Sequence, residues 1–263
     1  MSSTPPVVLA FAASDPTGGA GVQADLMTIA SLGCHPLSVL TALTAQDTAG
    51  VEGVRALDPD WILRQARVLL ADIPVAAFKI GVLGSARNAE AVAAVLADYP
   101  GTPVVLDPVL ASGRGDTFAD SETVQALRSA LLPRVTVVTP NSLEARRLAL
   151  AGPDTQLADC AERLAALGCA HVLITGTHEP GTRVTNVLYG AHGMLREDHW
   201  PRLPGEYHGS GCTLASAFAA MLAKGLSVAD AAHAAQEYTW KALQAGYRLG
   251  RGQWLPNRSF AAP

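Results

Sequence analysis

Aromatic side chains make up only 5% of the 263 residues and charged ones only 16%, in a chain that is 49% hydrophobic. So few aromatics argue against the stacking platform that single-stranded nucleic acid requires. With 19 Lys and Arg against 23 Asp and Glu, the net charge of -4 gives no basic field for a nucleic-acid backbone and no polybasic patch for a membrane. The four cysteines, Cys34, Cys160, Cys169 and Cys212, are scattered without a C-x-x-C pair. Reduced thiols in a cytoplasmic protein are therefore expected, and a zinc site is not. Charges, glycines or prolines interrupt every apolar segment before membrane-spanning length. Met1 to Pro6 lacks the basic stretch of a secretion signal, so none is expected.

What is present is a rhythm. Val7 to Ala13 is a continuous apolar run, as in a parallel strand covered on both faces. A glycine-rich loop, Ser14 to Gly21, leads into a helix with Val22, Leu26 and Ile29 on one stripe, stopped by Gly33. The loop is neither G-x-G-x-x-G nor a Walker A sequence, so by itself it does not indicate a nucleotide. Strands are expected at Leu37 to Ala45, from Val51, and at Ala76 to Ile80, Pro103 to Leu106, Val135 to Thr139 and His171 to Thr175. Helices are expected from Asp58 to Leu70, Asn88 to Ala97, near Ser121 (its hydroxyl the N-cap), from Pro140, and from Leu157 to Leu167. Ser112 to Asp116 reads as a flexible loop. Val184 to Tyr189 and Met194 to Trp200 read as an antiparallel edge hairpin, and two helices follow. No linker or composition shift divides the chain. The expectation is α/β: one three-layer αβα domain over residues 1–263 with a mostly parallel sheet. Ligands in such folds sit beyond the carboxyl ends of the strands. That rule gathers Ser14, Asp15, Gln46, Lys79 to Gly81, Asp107, Asn141, Glu144 and Thr175.

One stretch belongs at the same edge. In His208-Gly209-Ser210-Gly211-Cys212-Thr213, two glycines precede an alanine-rich helix. Glycines let backbone N–H groups approach an anion, and the helix turns its positive end to the same point. A cysteine there is expected to have a lowered pKa. A plain turn with a small buried cysteine is the alternative.

Ala12 to Asp25, Thr41 to Thr48, Lys79 to Leu83, Val105 to Val109, Thr139-Pro140-Asn141 with Glu144, and His208 to Thr213 follow one another as in the hydroxymethylpyrimidine/phosphomethylpyrimidine kinases, a branch of the ribokinase-like superfamily. The resemblance runs over nearly the whole chain. It implies a ribokinase-like domain that moves the ATP γ-phosphoryl group to 4-amino-5-hydroxymethyl-2-methylpyrimidine and then to its monophosphate. It implies Gly209, Ser210, Gly211 and Cys212 as the catalytic anion hole and base, and Gln46, Asp25, Ala13, Val82 and Val109 around the pyrimidine. Asp107, Asn141, Thr175 and Gly176 would serve the nucleotide, and Glu144 would reach Mg²⁺ through water. ATP as co-substrate, Mg²⁺ as cofactor and a homodimer are further implications.

Some positions depart from that pattern. Ala13 stands where glycine is usual, Thr175 where lysine is common, Asn186 where aspartate is frequent, and Ser210 where threonine is usual. Three alternatives follow: a pyridoxal or pyridoxine kinase of the same fold, a catalytically weak pyrimidine-binding relative, and a sugar kinase, disfavoured because Cys212 replaces a carboxylate base.

Overall fold

The computed structural model describes residues 4–111 and 118–260. The expected loop at Ser112 to Asp116 lies outside the described residues. The core of the sheet is β1, Val7–Ser14. Its side chains alternate between two apolar layers: Leu9 and Phe11 pack on one side and Val8 on the other. This explains the unbroken apolar run in the sequence, since neither face meets water.

Among the described residues nine strands stand in the order β3-β2-β1-β4-β5-β6-β7-β8-β9. They are β2 (His35–Gln46), β3 (Val51–Ala56), β4 (Ala77–Ile80), β5 (Val104–Leu106), β6 (Val137–Val138), β7 (His171–Thr175), β8 (Arg183–Gly190) and β9 (Gly193–Pro201). Strands β2, β1, β4, β5, β6 and β7 are parallel. The β8–β9 hairpin closes one edge as expected. The other edge is also antiparallel, because β3 folds back on β2 with Ala42 opposite Ala56.

One layer holds α2 (Pro59–Asp72), α3 (Ala86–Ala97), α4 (Ser121–Ala126), α5 (Ser142–Leu148) and α6 (Leu157–Ala165). The other holds α1 (Gly21–Ser31), α7 (Ser210–Ala223) and α8 (Val228–Gln244). Helix α7 is the most enclosed. The side chains of Ala215, Ala217, Phe218, Ala219 and Ala220 are all 0% exposed, and their small size lets the helix lie close to the sheet. One cap differs from expectation: Asp120, not Ser121, accepts the Thr123 N–H at 2.8 Å, a carboxylate being well suited to a helix start. The sixth strand is shorter than the apolar run suggested, because Leu132–Arg134 forms a 3-10 turn and pairing begins at Val137.

The chain leaves β1 toward β2 on one side, while β4 flanks β1 on the other. This switch opens a crevice beyond the carboxyl ends of the central strands. The loop after β1, the end of β4, the end of β5 and the start of α7 all meet there.

Candidate active site

Helix α7 is preceded by Gly209 at its N-cap, whose φ of 79° is left-handed. A Cβ there would overlap the carbonyl oxygen of Gly19 and lie 2.8 Å from its carbon. Glycine is thus required twice over, by backbone conformation and by close approach. The same contact packs the 208–213 loop on the glycine-rich loop. His208 Nε2 meets Asp15 Oδ2 at 2.8 Å and ties the loops a second time. Burial acts to raise the Asp15 carboxyl, but the His208 ring and the Thr17 and Ala20 amides outweigh it and hold the carboxyl below the usual range.

Behind the first turn of α7 lies a buried ionic cluster. Lys79, on β4, and Asp25, on α1, are each 0% exposed. Lys79 Nζ lies 2.8 Å from Asp25 Oδ1 and 2.9 Å from Oδ2, and Ser216 Oγ donates to Oδ1 at 2.7 Å. Burial opposes the lysine charge, but the Asp25 carboxylate more than compensates and holds Lys79 above its ordinary value. A Cβ on Gly81 would come within 2.8 Å of Nζ, so this glycine leaves room for the ammonium. Cys212 and Asp107 both lie within the field of Lys79, and the thiol hydrogen-bonds the Asp107 carboxyl.

The lowered cysteine pKa expected from the helix N-terminus is not found. Burial pushes the Cys212 thiol up to about 12, because removal from water and the nearby carboxylates outweigh Lys79. Burial likewise carries Asp107 up to about 6 against the pull of Lys79. Asp107 Oδ2 is buried without a hydrogen-bond partner. A Cβ on Gly211 would meet only the Asp107 carboxyl group, its oxygens at 3.6 Å, which leaves a cradle between the helix start and the end of β5.

Asn141 and Glu144 form a capping box on α5: Asn141 Oδ1 accepts the Glu144 N–H at 2.9 Å, and Glu144 Oε2 accepts the Asn141 N–H at 3.0 Å. Glu144 Oε1 also accepts the Leu110 N–H at 3.2 Å. Burial and the charge of Asp107 push Glu144 up to about 7. Thr175 donates its N–H to Pro140 O at 2.9 Å and pairs with Asn141 across a bridge, so these two lie side by side. Asn186 accepts the Gly176 N–H at 3.1 Å and donates to Gln236 at 2.9 Å. Its amide thus both accepts and donates, which an aspartate could not do.

Gln46 borders an open cleft of about 430 Å³ with Pro16, Thr17, Thr48, Gly250, Arg251 and Leu255. Its Nε2 donates to Thr44 Oγ1 at 2.7 Å. Val82 and Val109 line a separate cavity of about 10 Å³ rather than this cleft. Ala13 is 3% exposed and lies beneath Gly21, whose Cβ would press on its carbonyl oxygen. Asp25 does not face the cleft with free oxygens, because Lys79 and Ser216 occupy both. The structure therefore gathers Cys212, Asp107, Glu144 and the glycines of α7 into one cluster, with Gln46 apart at the cleft.

Three features had no sequence signal. The Lys79–Asp25 pair joins residues 54 apart. The C-terminal segment crosses the cleft, with Gln253 N–H on Thr48 O at 2.8 Å and Arg251 on Asp47 at 3.0 Å. Arg258 then enters the loop cluster and donates to Thr213, Gly18 and Gly19.

A doubly wound sheet whose switch point faces a glycine-opened helix start and a buried cation defines a phosphate-handling α/β enzyme of the ribokinase-like kind. The phosphomethylpyrimidine kinase family model matches residues 15–257, and the chain belongs to that family. It is 45% identical to a hydroxymethylpyrimidine/phosphomethylpyrimidine kinase of Streptomyces coelicolor, over 95% of this chain and 93% of that one. It is 39% identical to a bifunctional thiamine biosynthesis protein of Geobacter sulfurreducens, over 97% of this chain and 52% of that one. Among solved structures, a pyridoxal kinase from Staphylococcus aureus in complex with pyridoxal superposes with a TM-score of 0.89 at 28% identity, over 98% and 95% of the chains. A phosphomethylpyrimidine kinase from Clostridium difficile gives 0.79 at 32% identity, over 90% and 99%. No helix among the described residues is long and apolar enough to cross a membrane.

Proposed function

We propose that this enzyme transfers the γ-phosphoryl group of ATP to the hydroxymethyl oxygen of 4-amino-5-hydroxymethyl-2-methylpyrimidine, and in a second turnover to the phosphate of the product. The observation that carries this reading is the cradle between Gly211 and Asp107 at the start of α7, backed by the Lys79 charge. Amides of Gly209 to Cys212 receive the phosphoryl oxygens as charge moves onto them. Cys212 enters as a neutral thiol, since burial holds its pKa at about 12. It orients the acceptor hydroxyl, and the released proton ends on the Asp107 carboxylate: the thiol passes its own proton to Asp107 as it takes the one from the hydroxyl, and stays neutral. Such a transition state needs alignment and charge neutralisation more than a strong base.

Among the described residues no three His, Cys, Asp or Glu side chains converge to cage a metal. The unpartnered Asp107 Oδ2 and the adjacent Glu144 suit a Mg²⁺ that arrives with the nucleotide and keeps most of its waters. When bound, that ion neutralises phosphate charge. Glu144 reaches it only through water, since backbone N–H groups already engage both its oxygens. Gln46 offers donor and acceptor to the aminopyrimidine edge at the cleft, and Asn141, Thr175 and Gly176 flank the nucleotide side. Asp25 acts behind the site by fixing Lys79. A cytoplasmic homodimer completes the reading.

A second reading, pyridoxal kinase, is favoured by the Staphylococcus aureus likeness in shape. Steady-state kinetics on both acceptors decide between them. The pyrimidine is expected to have the higher kcat/KM, and a preference for pyridoxal of about tenfold or more refutes that order. Cys212→Ala is expected to lower kcat by about a hundredfold with little change in KM. Absence of ATP turnover on either acceptor, with pyrimidine binding retained, would identify a binding protein instead.

A further inference from the structure

Arg258 is far in sequence from every motif above, yet it is 4% exposed and lies at the centre of the loop cluster. Its Nε donates to Thr213 Oγ1 at 3.1 Å, Nη1 to Gly18 O at 3.2 Å and Nη2 to Gly19 O. All these acceptors are neutral. No carboxylate forms an ion pair with Arg258 among the described residues. A buried guanidinium without an acid is costly. The location adds to that cost, because Thr213 is in the first turn of α7, where the helix dipole is itself positive. Burial pulls the Arg258 pKa down, and Cys212 and then Asp25 lead the groups that oppose the fall, so Arg258 lies within electrostatic reach of the reacting end of the helix. A cation held at a positive helix end with no acid paired to it is the arrangement that a polyanion stabilises.

The bonds also fix shape. Carbonyls of Gly18 and Gly19 that point at Arg258 cannot point at an anion. The Gly19 backbone in turn seats Gly209. The main chain at Arg258 is anchored separately, by Tyr238 Oη on its carbonyl at 2.7 Å, with Ser31 Oγ 2.5 Å from that hydroxyl.

We propose that Arg258 is a positioning residue for phosphoryl transfer. It locks the glycine-rich loop to the start of α7 and adds buried positive charge behind the amides that receive the polyphosphate. This rests on the kinase reading above. A purely structural role, in which Arg258 only ties down the C-terminal segment, is the competing account.

The test compares Arg258→Met, Arg258→Lys and Tyr238→Phe, the last loosening the segment without touching the charge. Calorimetry with inorganic pyrophosphate reads anion binding without any acceptor, so it stands even if the pyrimidine proves not to be the substrate. Arg258→Met is expected to weaken pyrophosphate binding about tenfold, and to lower kcat about thirtyfold with pyrimidine KM within about threefold. Arg258→Lys is expected to restore part of the binding, since it returns the charge without the fork. Tyr238→Phe is expected to lower the thermal midpoint and spare both readouts. The inference fails if Arg258→Met binds pyrophosphate as the parent does, or if Tyr238→Phe lowers binding and kcat equally. Should Arg258→Met not fold, Arg258→Gln replaces it, since it keeps hydrogen bonding without charge, and the same outcomes apply.

Discussion

Replacing Lys79 with methionine tests whether the buried ion pair carries the stability its geometry implies. The pair is 0% exposed at both ends and the closest contact is 2.8 Å. In Lys79→Met the Asp25 carboxylate keeps only the Ser216 hydroxyl, at 2.7 Å. Stranding one partner of a buried pair costs about 3–5 kcal/mol, a large part of the 5–15 or so that holds a typical domain. For a chain of this size about 2–4 °C of thermal midpoint accompanies each kcal/mol, so the variant is expected to melt roughly 6–20 °C lower. Adding Asp25→Asn removes the stranded charge and keeps an acceptor for Ser216, and should recover about half of the loss or more. Because Lys79 is held above its ordinary value, its contribution is complete below that value and fades only as pH rises above about 10.4. Measurements at pH 7 and pH 9 should therefore give the same difference. Urea unfolding with a double-mutant cycle is the assay. A loss under about 1 kcal/mol, or a double variant no more stable than Lys79→Met, refutes the argument.

Much of the fold was written in local pattern. Buried parallel strands read as unbroken apolar runs because both faces are covered, and the β8–β9 hairpin read from two short runs joined by the glycine-flanked turn at Gly190 to Gly193. The antiparallel attachment of β3 was not legible, since a six-residue strand with five exposed positions carries no core pattern. At the site, Asp107 could be placed at a strand end, and the loop before Cys212 at the same edge, from the order of elements. Their titration could not. A helix start favours a thiolate in water, whereas full burial beside Asp107 and Asp25 favours the thiol. Glu144 was equally ambiguous, because a carboxylate three residues after Asn141 serves a cap or a metal with the same spacing. Long-range pairs left no trace at all: Lys79 with Asp25, His208 with Asp15 and Arg258 with Thr213 are contacts that only the folded chain creates. Val82 and Val109 were expected as apolar walls of the pyrimidine pocket, but they line a small separate cavity and not the cleft at Gln46, a separation that no local pattern reveals.

Gly209→Ala must place a methyl group on the Gly19 carbonyl at a φ of 79°, combining left-handed strain of about 1–2 kcal/mol with loop separation. It is expected to lower the urea midpoint and to cut kcat about a hundredfold, and near-normal kinetics would separate the loop contact from catalysis. Gln46→Ala, which removes the polar edge of the cleft, should raise pyrimidine KM about tenfold while ATP affinity by calorimetry stays within about threefold. Collapse of ATP binding would mean that the two sub-sites are wrongly placed. Asp107→Asn carries the opposite sign for stability and activity. Burial raises the Asp107 carboxyl to about 6, so the folded state binds a proton more readily than the unfolded chain. Its ionised form therefore costs stability as pH rises from the ordinary aspartate value of about 4 through about 6, and the cost is full above that. The amide cannot ionise, so Asp107→Asn should melt higher than the parent at pH 8 and lose that advantage at pH 4, while kcat falls at both. Equal midpoints at pH 8 would show that the carboxylate is not strained in the fold, and the raised pKa would have to be abandoned.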